Sequence, residues 1–210
     1  MKVPKISEET IRRLSVYSRF LDEVERKSVT YVSSGAIAEG TGSTSAQVRK
    51  DLACFGEFGV RGVGYDVARL NKVVKEILGL TKPRNVILIG AGNLGSALSR
   101  YSGFQKLGFQ MVAAFDNDLN KVGLTLGGLP VYAVSEMPEF IHTHSISIAI
   151  VAVPEQEAQR VADLLAKTEI QGILNFAPIV LNMPQNIEVR NVDLTVNLEV
   201  LTYKIESRLW

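Results

Sequence analysis

The stretch VILIGAGNLGSAL, residues 86–98, decides the fold of the second half of this 210-residue chain. An apolar run of strand length leads into Gly90, Gly92 and Gly95, and a helix-forming segment follows them. In this context, G-x-G-x-x-G is typical of the first strand-to-helix turn of a dinucleotide-binding domain. The first glycine allows the tight turn, the second admits a pyrophosphate, and the third lets helix and strand pack closely. Free N–H groups at the start of the helix would hold the pyrophosphate.

An acidic residue stands where such a site needs one. Asp116 ends the next apolar run, QMVAAFD at 110–116, and lies 21 residues after Gly95. A carboxylate there accepts hydrogen bonds from an adenosine ribose and repels a 2′-phosphate, so NAD(H) is expected rather than NADP(H). Two alternatives stay open: a turn kept only for packing, and a site for another adenine ligand such as coenzyme A.

Strands and helices alternate through this half of the chain. Apolar runs of strand length lie at 85–90, 110–116, 146–154 and 172–178, with helical segments near 93–103 and 155–168. Continuous rather than alternating hydrophobicity is typical of strands buried on both faces of a parallel sheet. The predicted fold class is therefore α/β with a Rossmann-like parallel sheet. The last stretch, 194–210, predicts an amphipathic helix with an apolar seam of Leu194, Leu198, Leu201 and Ile205.

A helical pattern precedes the segment GLTKPRN at 79–85, whose Gly, Pro and charges indicate a domain boundary. Ser7 is expected to cap a first helix, a second is expected at 34–40, and Thr44 with Gln47 has capping-box spacing for a third. The apolar face of the first helix comprises Ile11, Leu14, Tyr17, Leu21 and Val24. The glycine-rich segment 55–67 predicts a β-hairpin wing. The expected domains are 1–80 (winged helix, with a helix-turn-helix), 84–193 (Rossmann) and 194–210 (terminal helix).

The third helix and the wing carry the candidate DNA-binding residues. In a helix-turn-helix the second helix enters the major groove, where Arg and Lys suit guanine or phosphate and Gln suits adenine. A wing residue would face a minor groove or the backbone. The candidates are Ser45, Gln47, Arg49, Lys50 and Arg61. The alternative is a three-helix domain with a solvated basic face.

The sequence offers little for catalysis. A dehydrogenase needs a general acid or base near the reacting carbonyl. His142 and His144 precede the run at 146–154, so we expect them in a surface loop away from the ligand-binding edge. Tyr101, expected about two turns into the helix after the glycine loop, has no lysine four residues later. We therefore expect no catalytic residue and no metal, with NAD(H) acting as a signal. The alternative is a small NAD-dependent oxidoreductase with a fused basic domain.

Composition is that of an ordinary globular protein, with 46% hydrophobic residues, 21% charged residues and a net charge of +1. The single cysteine, Cys54, excludes an internal disulfide and favours a reducing, cytoplasmic location. The polar start MKVPKISEET is unlike a signal peptide, and no apolar run has the length of a membrane span. We expect Cys54 to be a small buried apolar residue beneath Phe55, with thiol oxidation as a rival redox input.

The chain resembles the Rex family of bacterial redox-sensing transcriptional repressors over nearly its whole length. The matching stretches are KVPKIS (2–7), QVRKDLACFGEFGVRGVGYDV (47–67), GAGNLGSAL (90–98), GILNFAP (172–178) and VDL (192–194). The resemblance implies a homodimer of winged-helix and Rossmann domains, with a terminal helix that swaps between subunits. It also implies binding to palindromic operators when NAD+ predominates and release when NADH accumulates, with control of fermentation and alternative respiration genes.

The resemblance further assigns individual residues. The nicotinamide is expected near Asn175, Phe176 and Pro178. We hypothesise that neutral NADH fits a closed dimer in which Phe176 and a ring or helix of the partner cover the nicotinamide. The implied cofactor-binding residues are Gly90, Ala91, Gly92, Asn93, Leu94, Gly95, Asp116, Asn117, Val153, Pro154, Asn175, Phe176 and Pro178. Positions linked in the family to communication between the domains correspond to Arg19, Tyr101 and Asp193.

Overall fold

The computed structural model describes residues 6–207, and the chain divides into two compact units, Met1–Lys82 and Pro83–Trp210. Most of the KVPKIS stretch and the last three residues of the expected terminal helix lie outside the described residues. Within 6–207, no helix combines the length and the apolar character that crossing a membrane requires.

The first unit is helical, with a small antiparallel sheet. In chain order its elements are α1 (Glu8–Arg26), β1 (Tyr31–Val32), α2 (Ser34–Thr41), α3 (Ser45–Ala53), β2 (Gly59–Val60), β3 (Gly64–Asp66) and α4 (Val67–Ile77). Strand β3 lies between β1 and β2 and is antiparallel to both. Helices α2 and α3 form a helix-turn-helix, and β2 and β3 form the hairpin wing that follows it, as the sequence predicts. Strand β1, which joins the sheet of the wing, was not predicted.

Local capping explains where these helices begin. Ser7 Oγ accepts a hydrogen bond from the N–H of Thr10, and Thr44 Oγ1 accepts one from the N–H of Gln47, both at 3.2 Å. Each satisfies an N–H that the first turn of a helix leaves without a partner. The predicted caps of α1 and α3 are thereby confirmed, whereas the capping box at α3 is only half formed, because the Gln47 side chain donates to Asp51 Oδ1. The buried apolar core beneath them includes Leu14, Tyr17, Leu21, Ile37, Val48 and Leu52.

The second unit is a seven-stranded sheet with flanking helices. Its strands are β4 (Arg84–Ile89), β5 (Phe109–Asp116), β6 (Thr125–Leu126), β7 (Leu129–Ala133), β8 (Ile148–Val151), β9 (Gly172–Asn175) and β10 (Glu188–Asn191). Its helices are α5 (Asn93–Ser99), α6 (Ser102–Lys106), α7 (Met137–Thr143), α8 (Glu155–Leu165) and α9 (Leu194–Glu206). The order is β10-β9-β8-β4-β5-β7-β6, parallel except for the β6–β7 pair. From β4 the chain first adds β5, β6 and β7 on one side and then adds β8, β9 and β10 on the other side. A topological switch point therefore lies between β4 and β8.

The two faces of this sheet are covered unequally. On one face, Ile87 and Val151 pack in a core with Ile141 of α7 and Val161 of α8. On the other face, α5 and α6 leave an apolar groove of about 350 Å³. Its lining includes Val86, Phe104, Met111, Ile148, Ile150 and Leu174. None of the described residues of α9 is buried. The unit therefore presents both an open apolar groove and an exposed apolar helix.

The segment after the glycine loop differs from the expectation of one helix over 93–103. Helix α5 ends at Ser99, and Tyr101, in extended backbone, is the N-cap of α6. The Tyr101 ring lies over Gly103, where any side chain would collide with it, and meets the Phe104 ring edge-on at 5.1 Å. The Tyr101 ring thus packs on α6, and the residue lies between the two helices rather than inside the single helix predicted for it.

Two further expectations are corrected. His142 lies in the last turn of α7, with His144 as its C-cap, rather than in a loop, because Pro138 in the first turn favours a helix over this segment. Both histidines are nevertheless exposed. Cys54 is exposed rather than buried, since it follows the end of α3 on the side opposite the buried Leu52, and its thiol donates to the carbonyl of Lys50.

Candidate functional site

The glycine loop after β4 shows a distinct constraint at each glycine. Gly90 has φ +101°, and a Cβ there would collide with the carbonyl oxygen of Ala152 after β8. A Cβ on Gly95 would collide with the carbonyl oxygen of Gly90, so only glycine lets α5 pack this closely. A Cβ on Gly92 would meet nothing within 4 Å. Gly90 and Gly95 are therefore required by the fold, whereas the space at Gly92 lies open to a ligand.

The first turn of α5 has free backbone amides beside this open space. Gly92 is its N-cap and makes no side-chain capping bond, and Gly92, Asn93 and Leu94 are exposed. Uncapped N–H groups at a helix N-terminus carry partial positive charge and bind phosphate. The loop is therefore suited to a pyrophosphate.

Asp116 at the end of β5 is bonded to this loop. Its Oδ2 accepts from the N–H of Ala91 at 2.7 Å and from Lys121 Nζ at 3.3 Å, while Oδ1 accepts from the N–H of Asp118 at 2.8 Å. Burial favours the neutral acid, but these hydrogen bonds outweigh it and lower the pKa of Asp116. The side chain is thus a carboxylate with acceptor capacity left on Oδ1 for a ribose hydroxyl.

A cavity of about 260 Å³ lies at the carboxyl ends of β4, β5 and β8, at the switch point of the sheet. Its lining includes Gly90, Gly92, Asp116, Asn117, Val153, Pro154, Glu157 and Val161. A second cavity of about 330 Å³ shares Asp116, Asn117, Val134 and Val161 with it and adds Leu119 and Arg160. Ligands of open α/β sheets bind at this kind of crevice. The structure thus brings together the glycine loop, Asp116, Asn117, Val153 and Pro154.

The residues expected at the nicotinamide end do not line this cavity. Asn175 is fully buried, and its Nδ2 donates to the carbonyls of Ala177 and Ile179 and to Asn191 Oδ1. Its Oδ1 accepts from the N–H of Ala177. The side chain therefore holds the loop after β9 in shape. Phe176 is half-buried in that loop and Pro178 is exposed.

Two of the five candidate DNA-binding side chains line a cleft of about 610 Å³ between α3 and the wing. Arg49 and Arg61 both line it and both are exposed. The Arg49 Nη1 donates to Ser34 Oγ at 3.0 Å, which directs this guanidinium along the start of α2. Lys50 is exposed, whereas Ser45 and Gln47 are half-buried.

Asp51 is a buried carboxylate on α3 that sequence reasoning missed. It is 2% exposed and accepts from Arg13 Nε at 2.6 Å, Arg13 Nη2 at 2.7 Å, Tyr17 Oη at 3.0 Å and Gln47 Nε2 at 2.8 Å. Burial opposes its charge, but the bonds from Arg13, Gln47 and Tyr17 lower its pKa. This cluster fixes α3 against α1. The sequence does contain a signal for the burial of Asp51, because this residue lies three positions after Val48 and so on the apolar side of the helix.

The three residues expected to link the domains have these surroundings. Arg19 is exposed on α1 and its Nε donates to the carbonyl of Ser15, and Tyr101 is 60% exposed. Asp193 is the N-cap of α9, where bonds from Thr195 and then Val196 lower its pKa.

Comparison with known proteins gives matches along the whole chain. Two family profiles match, one described as a putative DNA-binding protein N-terminus over 5–53 and one as a CoA binding domain over 81–179. A relative from Pelotomaculum thermopropionicum is 56% identical over 99% of this chain and 98% of its own length. Another, from Carboxydothermus hydrogenoformans, is 55% identical over 98% of this chain and 99% of its own. Both are named redox-sensing transcriptional repressor Rex.

Solved structures of RSP, described as a Rex-family repressor, also match. Its complex with β-NAD+ and operator DNA is 38% identical, covers 97% of this chain and 94% of RSP, and has a TM-score of 0.92. Its complex with β-NADH is 37% identical, covers 97% and 96%, and has a TM-score of 0.85.

Proposed function

Because the chain belongs to the Rex family of redox-sensing transcriptional repressors, we propose that it binds operator DNA with NAD+ and leaves it with NADH. The observation that carries this proposal is the presence of a candidate DNA-binding site and a candidate dinucleotide-binding site in one chain. A winged helix presents Arg49 and Arg61 in one cleft, and an α/β unit ties Asp116 to a glycine loop. The operators are palindromic, and the genes controlled are those of fermentation and alternative respiration.

NAD(H) is the regulatory ligand of the α/β unit, rather than a reagent in a reaction. The pyrophosphate lies on the amides around Gly92, and the adenosine ribose donates to Asp116. Val153, Pro154 and Asn117 contact the adenosine half, and Phe176 and Pro178 lie toward the nicotinamide. The RSP complexes favour NAD(H) over coenzyme A as the adenine ligand. The open space at Gly92 and the ionised Asp116 support this assignment.

The chain acts as a homodimer in which α9 of each subunit packs on its partner. The support is an exposed apolar helix and an uncovered apolar groove in the same unit: Leu198 is 65% exposed and Leu201 54% exposed. Exposed apolar surface of this extent indicates an interaction site. In such a dimer the two copies of α3, the recognition helices, are related by a two-fold axis and would bind half-sites about 34 Å apart.

The redox response comes from the nicotinamide, because NAD+ and NADH differ there by one charge and by ring planarity. A ligand shifts an equilibrium only by its differential affinity for the two states. NADH favours a closed dimer in which Phe176 covers the neutral ring, and the recognition helices then no longer match the two half-sites. Arg19, Tyr101 and Asp193 transmit this change. A coupling of about 1–3 kcal/mol per site is typical of such linkage.

The test is a DNA-binding titration on a palindromic operator, at fixed salt, with excess NAD+ and increasing NADH. Release by NADH is the expected result and gives the switching ratio directly. Tight binding that NADH does not change would assign another role to the nucleotide site. Absence of specific binding would reject the repressor function.

A further inference from the structure

Lys121 lies against the carboxylate that the proposed function assigns to the adenosine ribose. Its Nζ is 3.3 Å from Asp116 Oδ2 and 3.7 Å from Asp118 Oδ2, and the residue lines the same cavity as Gly90, Gly92 and Asp116. The Lys121 side chain is 39% exposed, whereas that of Asp116 is only 13% exposed. The protein thus places a cation of its own beside the largely buried carboxylate of this site.

The turn after β5 holds Lys121 in this position. The N–H of Lys121 donates to the carbonyl of Asp118 at 2.9 Å. Asp118 Oδ1 accepts from both the N–H and the Nδ2 of Asn120 at 3.0 Å. These bonds close the turn between Asp118 and Lys121, and the lysine side chain reaches back to Asp116 at the end of β5. The position of the ammonium group is therefore set by the turn as well as by the two carboxylates.

The two oxygens of Asp116 differ in the number of donors that they already have. Oδ2 accepts from the N–H of Ala91 at 2.7 Å and from Lys121, whereas Oδ1 accepts, among residues 6–207, only from the N–H of Asp118. A carboxylate oxygen has two lone pairs, so the bond from Lys121 fills the second acceptor position of Oδ2. Oδ1 keeps one acceptor position for a donor from a ligand.

We propose that Lys121 is a positioning residue, which fixes the carboxylate of Asp116 so that Oδ1 accepts the 2′-hydroxyl of the adenosine ribose. The inference rests on the proposed NAD(H) function, in which the acidic residue bonds this hydroxyl. The carboxylate torsion of aspartate is broad, so bonds to its oxygens decide how it is oriented. Without the bond from Lys121, each oxygen would keep one free acceptor position, and the single acceptor aimed at the ribose would be lost.

The experiment measures Kd of the full chain for NADH and for reduced nicotinamide 2′-deoxyadenine dinucleotide, by the fluorescence of the reduced nicotinamide. For the wild type we expect the 2′-deoxy dinucleotide to bind at least about tenfold more weakly, because it lacks a hydrogen bond to a charged group. In Lys121→Met, NADH should bind about two- to fivefold more weakly, a small effect because the ion pair is partly exposed. The Kd for the 2′-deoxy dinucleotide should stay unchanged, so the ratio of the two Kd values falls by the same factor.

Two further variants separate positioning from other effects of the charge. Lys121→Arg keeps a donor for Asp116 and should restore the wild-type ratio. Lys167→Met removes an exposed lysine that follows α8 and lies outside the cavity, so it should also keep the wild-type ratio.

The outcomes separate this inference from the function on which it rests. Equal weakening of both dinucleotides in Lys121→Met would show that the ammonium group attracts the pyrophosphate, and it would overturn the positioning role alone. Unchanged binding of both by this variant would do the same. A wild type that binds both dinucleotides equally would overturn the ribose assignment of Asp116 together with the inference. Failure of the wild type to bind either dinucleotide would overturn the NAD(H) function itself.

Discussion

Asp116 Oδ2 accepts a hydrogen bond from the backbone N–H of Ala91 at 2.7 Å, which joins the end of β5 to the loop that follows β4. The carboxylate assigned to the ribose thus also positions the loop assigned to the pyrophosphate. Lys121 and the N–H of Asp118 complete its partners and keep it charged. Ribose binding and loop geometry therefore depend on the same side chain.

Asp116→Ala should weaken NADH binding by about 10–100-fold, because hydrogen bonds to a charged acceptor are worth about 1.5–3 kcal/mol. Operator affinity without dinucleotide should stay unchanged. Fluorescence titration with NADH and an operator-binding assay measure the two effects. Glu139→Gln, which removes the charge of an exposed carboxylate on α7 outside the cavity, serves as the control. Release of DNA from Asp116→Ala at wild-type NADH concentrations would contradict the ribose assignment.

Two glycines of the loop should respond differently to the same added methyl group. In Gly92→Ala the methyl enters open space, so we expect unchanged thermal stability and weaker NADH binding. In Gly95→Ala it meets the carbonyl oxygen of Gly90, so we expect a Tm lower by several degrees, since overpacking costs about 1–3 kcal/mol. Equal stability of the two variants, measured by thermal unfolding, would contradict this distinction.

The features predicted correctly depend on residues close in the sequence. The caps at Ser7 and Thr44 and the glycine loop each form within a few residues, and the parallel sheet follows from strand hydrophobicity. What was missed depends on partners distant in the chain. Asp51 is charged because Arg13 meets it across two helices, and the buried Asn175 donates to Asn191 on the neighbouring strand. The place of Asp51 on the apolar side of α3 could be read from the sequence, but its distance to Arg13 could not.

Asp51→Ala should loosen the contact between α1 and α3 by about 1.5–3 kcal/mol, because it removes the charged acceptor of the Arg13 hydrogen bonds while the partly exposed guanidinium can still be solvated. Faster amide hydrogen exchange in both helices at pH 7 would report this loss. Arg12→Ala is the control: its ion pair with Glu8 is exposed and worth about 0–1 kcal/mol.

The same contact should respond to acid. The pKa of Asp51 is lower in the folded protein than in the unfolded chain, so its stabilisation is complete above the unfolded value of about 3.9. It is lost as the pH falls from there through the folded value. Exchange in α1 and α3 should therefore depend more steeply on pH below about 4 in the wild type than in Asp51→Ala. Parallel pH profiles would show that Asp51 does not control this contact.

We expect Lys50→Ala and Arg61→Ala each to weaken operator binding. If each side chain neutralises one phosphate, each variant should also lower the magnitude of the slope of log K against log[salt] by about one. Lys27→Ala removes an exposed lysine already paired with Glu23 and should leave the slope unchanged. Titrations at several salt concentrations measure the slope. A loss of affinity with an unchanged slope would indicate that the residue contacts a base edge instead.

Leu198→Glu combined with Leu201→Glu should dissociate the dimer. Neither leucine is buried within its own subunit, so their replacement should not disturb the fold, yet burying each against a partner would contribute about 1.5–3 kcal/mol. Ile148 lines the apolar groove that α9 of the partner would enter. Ile148→Glu should therefore also dissociate the dimer. Sedimentation velocity measures the outcome, and Glu199→Gln on the same helix should remain a dimer. If either leucine or groove variant kept the wild-type sedimentation coefficient, α9 would not be the helix that joins the subunits.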